Sequence, residues 1–228
     1  RRFAEAFKSR YDRLDILVNN AGIMWVEYGK TVDGFERQFG TNHLGHFALT
    51  GLLIDLLADT SGARVINVSS TGHRAGTMDF ENLMFEGGKG YRRHRAYGRS
   101  KLANLLFTYE LQREFEANGV DAIATAAHPG ASNTNLARYV HDLWYMRLLW
   151  PLLERMTQSA AMGALPTVRA AVDPTSKGGD YYGPGGSREM TGYPVIVQSS
   201  EASHSEADAR RLWQVSEQLT GTYYDWNE

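Results

Sequence analysis

Short apolar segments alternate with longer helical segments along this chain of 228 residues, and this alternation constrains the fold more than any other feature. Four segments are short, rich in β-branched or small apolar residues, and followed by turn-forming residues, as strands buried on both faces should be. They are residues 15–19, 64–68, 120–126 and 180–182. Strands that alternate with helices form right-handed βαβ units, so we predict an α/β fold with a mostly parallel sheet.

Apolar residues recur at helical spacing between the predicted strands. The predicted helices cover residues 35–57, 96–117, 159–172 and about 205–219. The second of them stops at Asn118-Gly119, a pair that commonly ends helices. Residues 1–13 form a charged amphipathic segment, which we interpret as the end of a further helix. A chain of this length forms one sizeable core, so we predict a single domain over residues 1–228.

Composition excludes several classes of function and site. The formal net charge of −2 gives no reason to expect nucleic acid or an anionic membrane as a partner. The sequence has no Cys, which excludes disulfides, thiolate metal sites and Cys nucleophiles, and fits a cytoplasmic location. No segment has the roughly 20 apolar residues that span a bilayer. The apolar residues 144–156 are interpreted as a helix that covers the core, with a peripheral membrane contact as the alternative.

Residues that follow the predicted strands are where a parallel sheet binds its ligands. Tyr97 and Lys101 are four residues apart on a predicted helix, so the phenol and the ammonium group can approach a common point. A nearby cation favours the phenolate, and we therefore expect a lowered pKa at Tyr97. Ser70 ends the second strand, and Asn19-Asn20-Ala21-Gly22 follows the first. Each of these features alone is also typical of an ordinary turn or a surface pair.

The order of the motifs resembles the short-chain dehydrogenase/reductase family. The chain carries NNAG at 19–22, TNHLGHF at 41–47, VSS at 68–70, YGRSK at 97–101 and HPG at 128–130. Dense motifs run from about Leu14 to Thr134, and the remainder matches more loosely. The sequences DILVNNAG and YGRSKLANLLF are most similar to the retinol dehydrogenase and protochlorophyllide reductase branch. The resemblance implies a Rossmann-like, doubly wound parallel sheet with helices on both faces.

The resemblance also implies a catalytic set. Tyr97 would give a proton to a carbonyl oxygen during reduction, or accept one during oxidation. Lys101 would hold the nicotinamide ribose and keep the phenol acidic, and Ser70 would hydrogen-bond the substrate oxygen. Asn42 would anchor a water in a proton relay to Lys101. The implied function is an oxidoreductase that moves a hydride between NAD(H) or NADP(H), with NADP(H) favoured, and a carbonyl or alcohol.

Further residues would contact the cofactor if the resemblance holds. Residues 20–22, which are Asn20, Ala21 and Gly22, would lie beside the adenine ribose. Pro129 and Gly130 would flank the nicotinamide, and Thr134 would reach its carboxamide or the pyrophosphate. Ser132 stands where the family usually has Val or Ile, but its backbone could still bind the carboxamide.

A complete member of that family begins with a strand and a Gly-rich turn, TGxxxGxG, which the sequence does not contain. The glycines at 87–90, 178–179 and 185–186 neither follow a strand nor open a helix as a phosphate loop requires, so we interpret them as flexible loops. We expect the N-terminal strands of the fold to be missing, which leaves an exposed apolar sheet edge. Either these residues belong to a longer enzyme, which we favour, or the product is a truncated, inactive remnant.

Several alternatives stay open. The chain could be a catalytically silent binding module of the same fold, and the resemblance allows a monomer or a homodimer. The insert at residues 72–95 and the segment at 131–156 are expected to form the pocket wall, and the aromatic residues of the latter suggest a bulky apolar substrate. His43 and His46 are three apart on a helix, but without a third ligand we interpret them as packing residues and not as a metal site.

Overall fold

The computed structural model describes residues 1–132 and 157–226. Within them, a five-stranded sheet has the order β1-β2-β3-β4-β5. The strands are β1 Ile16–Asn19, β2 Ala63–Val68, β3 Ala122–Ala127, β4 Tyr181–Pro184 and β5 Pro194–Ile196. Strands β1 to β4 are parallel, whereas β5 pairs with β4 in the antiparallel direction. The predicted α/β fold with a mostly parallel sheet is confirmed.

The described α-helices lie before, between and after these strands. They are α1 Arg2–Lys8, α2 Arg37–Phe39, α3 Gly45–Leu52, α4 Ile54–Ala58, α5 Arg93–Ala117, α6 Ala160–Val172 and α7 Glu206–Thr220. Successive side chains of β2 point to opposite faces of the sheet. Val65 packs with Phe107 of α5 on one face, and Ile66 packs with Ala170 of α6 on the other. Helices therefore cover both faces, as a doubly wound sheet requires.

The predicted helix over residues 35–57 is divided in the structure. It begins after Glu36, whose carboxylate caps α2 by accepting hydrogen bonds from the backbone N–H groups of Gln38 and Phe39, both at 2.8 Å. A π-helical turn, Gly40–Leu44, separates α2 from α3. Leu53, with φ −116° and ψ 12°, then breaks the helix before α4. Hydrophobic periodicity detects the buried face but neither of these interruptions.

Strand β5 is absent from the sequence prediction. It has only three residues, and Val195 and Ile196 are 40% and 56% exposed, so it lacks the buried apolar pattern that identified the other strands. At the opposite edge of the described sheet, β1 pairs on one side only. Its Ile16 and Val18 are 41% and 40% exposed, in agreement with the expected apolar edge. Thr134 and the apolar segment 144–156 lie outside the described residues.

Candidate active site

A cavity of about 720 Å³ opens at the carboxyl ends of β1, β2 and β3. Seven of the residues proposed from sequence line it: Asn20, Ala21, Gly22, Tyr97, Lys101, Pro129 and Ser132. Three others, Asn42, Ser70 and Gly130, are not among its lining residues, although they contact residues close to it. The sheet topology explains this convergence, because parallel strands deliver their carboxyl ends to one edge.

Tyr97 and Lys101 occupy consecutive turns at the start of α5. Both are buried, with 6% and 3% of their surface exposed. The Lys101 Nζ atom lies 5.8 Å from the centre of the Tyr97 ring and donates a hydrogen bond to the Val68 carbonyl at 2.9 Å. Val68 ends β2, so this bond fixes the ammonium group at the mouth of the sheet. The phenol and the ammonium group therefore share one end of the cavity.

The expected lowering of the Tyr97 pKa is wrong for this structure. Burial raises the pKa of the Tyr97 phenol to about 12, and a hydrogen bond with Ser70 opposes that shift only in part. Burial also lowers the pKa of Lys101 to about 8. Removing a group from water disfavours its charged form, and this effect is the largest cause of both shifts. At neutral pH the phenol thus holds its proton.

Ser70 begins a 3₁₀ turn, Thr71–Ala75, and its Oγ accepts a hydrogen bond from Gly72 N at 3.1 Å. Gly72 also makes room for the phenol, since a Cβ there would lie 3.2 Å from Cε1 of Tyr97. The preceding Ser69 has a different role: its Oγ donates to the Lys101 carbonyl at 2.8 Å and ties α5 to the end of β2. The two serines of the VSS sequence therefore make different contacts: Ser69 lines the cavity and bonds the backbone of α5, whereas Ser70 begins the turn beside the phenol.

Asn42 lies in the π-helical turn, an irregularity that is frequent at functional sites. Its Oδ1 accepts from Ile23 N at 2.8 Å, and its Nδ2 donates to the Ile23 carbonyl and to Ser100 Oγ, both at 2.9 Å. Gly22 is adjacent, because a Cβ there would lie 3.1 Å from Asn42 Oδ1 and 3.7 Å from Lys101 Nζ. The side-chain amide thus joins the segment after Gly22 to α5, and the water relay that the resemblance implies for Asn42 stays a prediction.

The turn after β3 borders the cavity opposite α5. Gly130 has φ +63°, a conformation that favours glycine, and the Pro129 carbonyl accepts a hydrogen bond from Gln158 Nε2 at 2.9 Å. Ser132 Oγ donates to the same carbonyl at 3.3 Å. Gly163 of α6 allows this approach, since a Cβ there would lie 2.5 Å from Ser132 Oγ. Pro129 and Ser132 are therefore held at the cavity by α6 and the segment before it.

A buried polar network beneath the site was not predicted. Asn19 Nδ2 donates to Asn67 Oδ1 at 2.8 Å, and Asn67 Nδ2 donates to Thr108 Oγ1 at 3.0 Å. Asn104 Nδ2 donates to the Val68 carbonyl at 3.0 Å, the same oxygen that binds Lys101. The signal available in the sequence was Asn67, a polar residue inside the otherwise apolar strand RVINV. Buried amides require partners, so this residue indicated a network.

His43 and His46 are buried among protein groups. His43 Nε2 lies 2.9 Å from Ser216 Oγ, and its ring contacts Phe39 and Phe107. Burial lowers the pKa of His43 to about 3 and that of His46 to about 4. Among the described residues no group of three His, Asp or Glu side chains is placed to hold a metal ion.

The insert at residues 72–95 contributes no residue to the described cavity lining, which corrects the expectation that it forms the pocket wall. It packs against α5 through Arg99, a fully buried side chain. Arg99 donates to the carbonyls of Thr77, Asn82 and Leu83 at 3.2, 2.7 and 2.8 Å. Its guanidinium lies 4.1 Å from the centre of the Phe85 ring. A residue between Tyr97 and Lys101 therefore organises the insert.

No helix in the described part of the chain is both long and apolar enough to cross a membrane. This finding applies to residues 1–132 and 157–226.

The chain is similar to several known proteins. Mouse retinol dehydrogenase 12 is 40% identical over 99% of this chain. The chain spans 63% to 67% of the length of the retinol dehydrogenases that it matches. A crystal structure of an uncharacterized protein from Mycobacterium paratuberculosis is 40% identical, with a TM-score of 0.77, over 97% of this chain and 72% of that one.

A more distant structure, an NADP active-site complex of RhlG from Pseudomonas aeruginosa, shares the fold at 24% identity. Its TM-score is 0.54, over 79% of this chain and 68% of that one. The family model of the short chain dehydrogenases matches residues 1–142, more than half of the sequence. The chain belongs to the short chain dehydrogenase family.

Proposed function

We propose that this protein is an NAD(P)(H)-dependent oxidoreductase that interconverts a carbonyl compound and an alcohol, with NADP(H) as the favoured cofactor. One observation carries the proposal: the buried side chains of Tyr97 and Lys101 line one cavity at the strand ends, where Lys101 Nζ lies 5.8 Å from the centre of the Tyr97 ring. The bound nicotinamide would supply the hydride chemistry, while the protein supplies position and charge. The described residues would act as parts of a single domain.

In this proposal Tyr97 transfers the proton. Its phenol is protonated at neutral pH, because burial raises its pKa to about 12, and it can give that proton to a carbonyl oxygen as negative charge develops there. The Ser70 hydroxyl, already bonded to the phenol, would donate to the same oxygen. Donors that are fixed before the reaction stabilise the charge of the transition state without reorganisation.

The residues around Lys101 fit a nicotinamide ribose. The Val68 carbonyl is the one acceptor within hydrogen-bond distance of Lys101 Nζ in the described part of the chain, so two of its three N–H bonds remain for ribose hydroxyls. Gly22 leaves space beside Lys101 Nζ, because a Cβ at this position would lie 3.1 Å from Asn42 Oδ1 and 3.7 Å from Nζ. Asn42 would act here by holding the segment after Gly22, with the water relay as a further role.

Other residues of the segments that follow β1 and β3 would orient the rest of the cofactor. We assign Asn20 and Ala21, with Gly22, to the adenine ribose side, and Pro129, Gly130 and Ser132 to the nicotinamide side. Thr134 would reach the carboxamide or pyrophosphate. The support for this assignment is that these segments follow β1 and β3 at the edge where doubly wound sheets bind dinucleotides.

We infer an apolar substrate from the remaining lining. Ile23, Met24, Ala164 and Val168 line the cavity and offer hydrocarbon surface without a charge. Apolar pockets with a few placed polar groups are typical of small-molecule sites. Since the matched relatives are named for retinol, all-trans-retinal is a reasonable first probe, and a short aliphatic aldehyde tests whether chain length matters.

The experiment is to purify the natural protein and to measure NADPH binding and NADPH oxidation with all-trans-retinal and with decanal. The proposal expects binding and aldehyde-dependent oxidation. Binding without turnover of any carbonyl in a broad panel would favour a catalytically silent module. Absence of binding to both NADPH and NADH would refute the proposal.

A further inference from the structure

A hydrogen-bond network beside the cavity joins the segments that follow β2, β3 and β4, and Glu189 is at its centre. Glu189 ends the 3₁₀ turn Ser187–Glu189, which follows β4. Its Oε1 accepts from Arg74 Nη2 at 2.9 Å, and its Oε2 accepts from His128 Nε2 at 3.0 Å. One carboxylate thus joins three segments that are far apart in the sequence.

The contact with His128 leads directly to the turn that borders the cavity. The His128 side chain is fully buried, and its Nδ1 accepts a hydrogen bond from Gly130 N at 3.2 Å. Nε2 therefore carries the ring proton and donates it to Glu189. Gly183 leaves space for the ring, because a Cβ there would lie 2.0 Å from Nε2. His128 links Glu189 to the backbone of Gly130.

The contact with Arg74 leads to the turn that begins at Ser70. Arg74 lies in the 3₁₀ turn Thr71–Ala75, and it also donates to the Gln198 carbonyl at 2.9 Å. The neighbouring His73 accepts from Ser200 N through Nε2, so its Nδ1 donates to the Ser70 carbonyl at 2.6 Å. Arg74 thus tethers the Ser70 turn to the segment after β4 through Glu189, and Arg74 and His73 together tether it to the segment after β5.

The backbone at Glu189 has an uncommon conformation. Arg188 and Glu189 have φ +51° and +57°, in the left-handed region that residues with a Cβ atom rarely adopt. Such residues persist where the surroundings fix them, and they cluster at functional sites. The next residue, Met190, accepts a hydrogen bond from Ala131 N at 2.8 Å. The strained segment therefore supports the turn after β3 through backbone and side chain together.

We propose that Glu189 is a positioning residue that sets the Pro129–Gly130 turn relative to Ser70, by holding His128 and Arg74 at the same time. This inference rests on the function proposed above, in which that turn flanks the nicotinamide and Ser70 binds the substrate oxygen. The distance between hydride donor and acceptor then depends on Glu189, which itself touches neither. A displacement of about 1 Å in such a geometry can reduce a rate by roughly 100-fold.

The test compares Glu189→Gln with Glu206→Gln in the full-length protein. Glutamine keeps one acceptor oxygen, but its NH₂ group must face one of the two donors. Glu206 is the matched control, since it forms an ion pair with Arg210 at 2.6 Å with both side chains more than half exposed. With all-trans-retinal at 15 °C, we expect Glu189→Gln to lower kcat by about 10- to 100-fold and to leave KM for NADPH within threefold. A kcat within twofold of the control would overturn the inference.

A second measurement separates this inference from the proposed function. Hydrogen exchange of the Gly130 and Ala131 amides, measured without cofactor, should be at least tenfold faster in Glu189→Gln than in Glu206→Gln. If the unaltered protein reduces no carbonyl, the proposed function fails while faster exchange still supports the positioning contact. Unchanged exchange at both amides would overturn the positioning role, whatever the activity. Unfolding temperatures of both variants identify a general loss of structure.

Discussion

Arg99→Met tests the conclusion that one buried guanidinium organises the insert beside the active-site helix. The substitution keeps an unbranched side chain but removes the donors to three backbone carbonyls and the cation over Phe85. Hydrogen bonds from a charged donor contribute about 1.5–3 kcal/mol each, but water can replace some of them and methionine avoids the cost of burying a charge. Each buried carbonyl that is left without a donor costs about 1–3 kcal/mol.

We therefore expect the free energy of unfolding to fall by about 3 kcal/mol and Tm to fall by roughly 6–12 °C, at about 2–4 °C per kcal/mol for a chain of this size. Urea unfolding, followed by fluorescence, measures the first quantity, and limited proteolysis within the insert reports its loosening. Arg95→Met is the matched control, because Arg95 is exposed one helical turn earlier. A loss below 1 kcal/mol, or one equal to that of the control, would refute the reasoning.

Three further predictions concern the site itself. Ser70→Ala should lower kcat by about 100-fold and leave the Kd for NADPH within threefold, which steady-state kinetics and fluorescence titration check. Burial lowers the pKa of Lys101 from 10.5 to about 8. Between these two pH values the unfolded chain binds more protons than the folded one, so the free energy of unfolding rises with pH. Without cofactor, the free energy of unfolding of the unaltered protein should rise by about 2 kcal/mol relative to that of Lys101→Met between pH 8 and 9.5. If the difference between the two proteins does not change with pH, the burial effect is contradicted. Gly130→Ala would place a Cβ 2.4 Å from the Met190 carbonyl at φ +63°, so we expect a loss of about 3 kcal/mol on urea unfolding. Gly119→Ala, at φ +66° with no atom within 4 Å, should lose about 1 kcal/mol, and equal losses would count against the close contact.

The parallel part of the sheet could be predicted from sequence because each of its strands is a short apolar run that ends in small or turn-forming residues. Strand β2, Ala63–Val68, is buried on both faces, so its composition alone identifies it. Strand β5, Pro194–Ile196, lies at the sheet edge with exposed side chains, and its pairing depends on β4 and not on its own pattern. The local pattern of apolar residues cannot show that a strand forms only by pairing with a neighbouring strand.

The residues of the candidate site could be predicted from the sequence, but their burial and their pKa values could not. The helical spacing correctly placed Tyr97 and Lys101 at one cavity. It could not show that both side chains are almost fully buried, and burial reverses the expected direction of the Tyr97 pKa shift. The same limit applies to Arg99 and Glu189, because their partners are distant in the sequence and only the folded chain brings them together.

Single-turnover hydride transfer in Tyr97→Phe shows whether the Tyr97 phenol transfers the proton. Tyr109→Phe is the matched control, since Tyr109 is on the same helix and its hydroxyl bonds Ser199 at 2.8 Å, away from the described cavity lining. With full-length protein, NADPH and all-trans-retinal, we predict at least a 100-fold slower transfer in Tyr97→Phe, unchanged NADPH affinity, and a rate within threefold of normal in Tyr109→Phe. A Tyr97→Phe rate within fivefold of the unaltered protein would contradict the account.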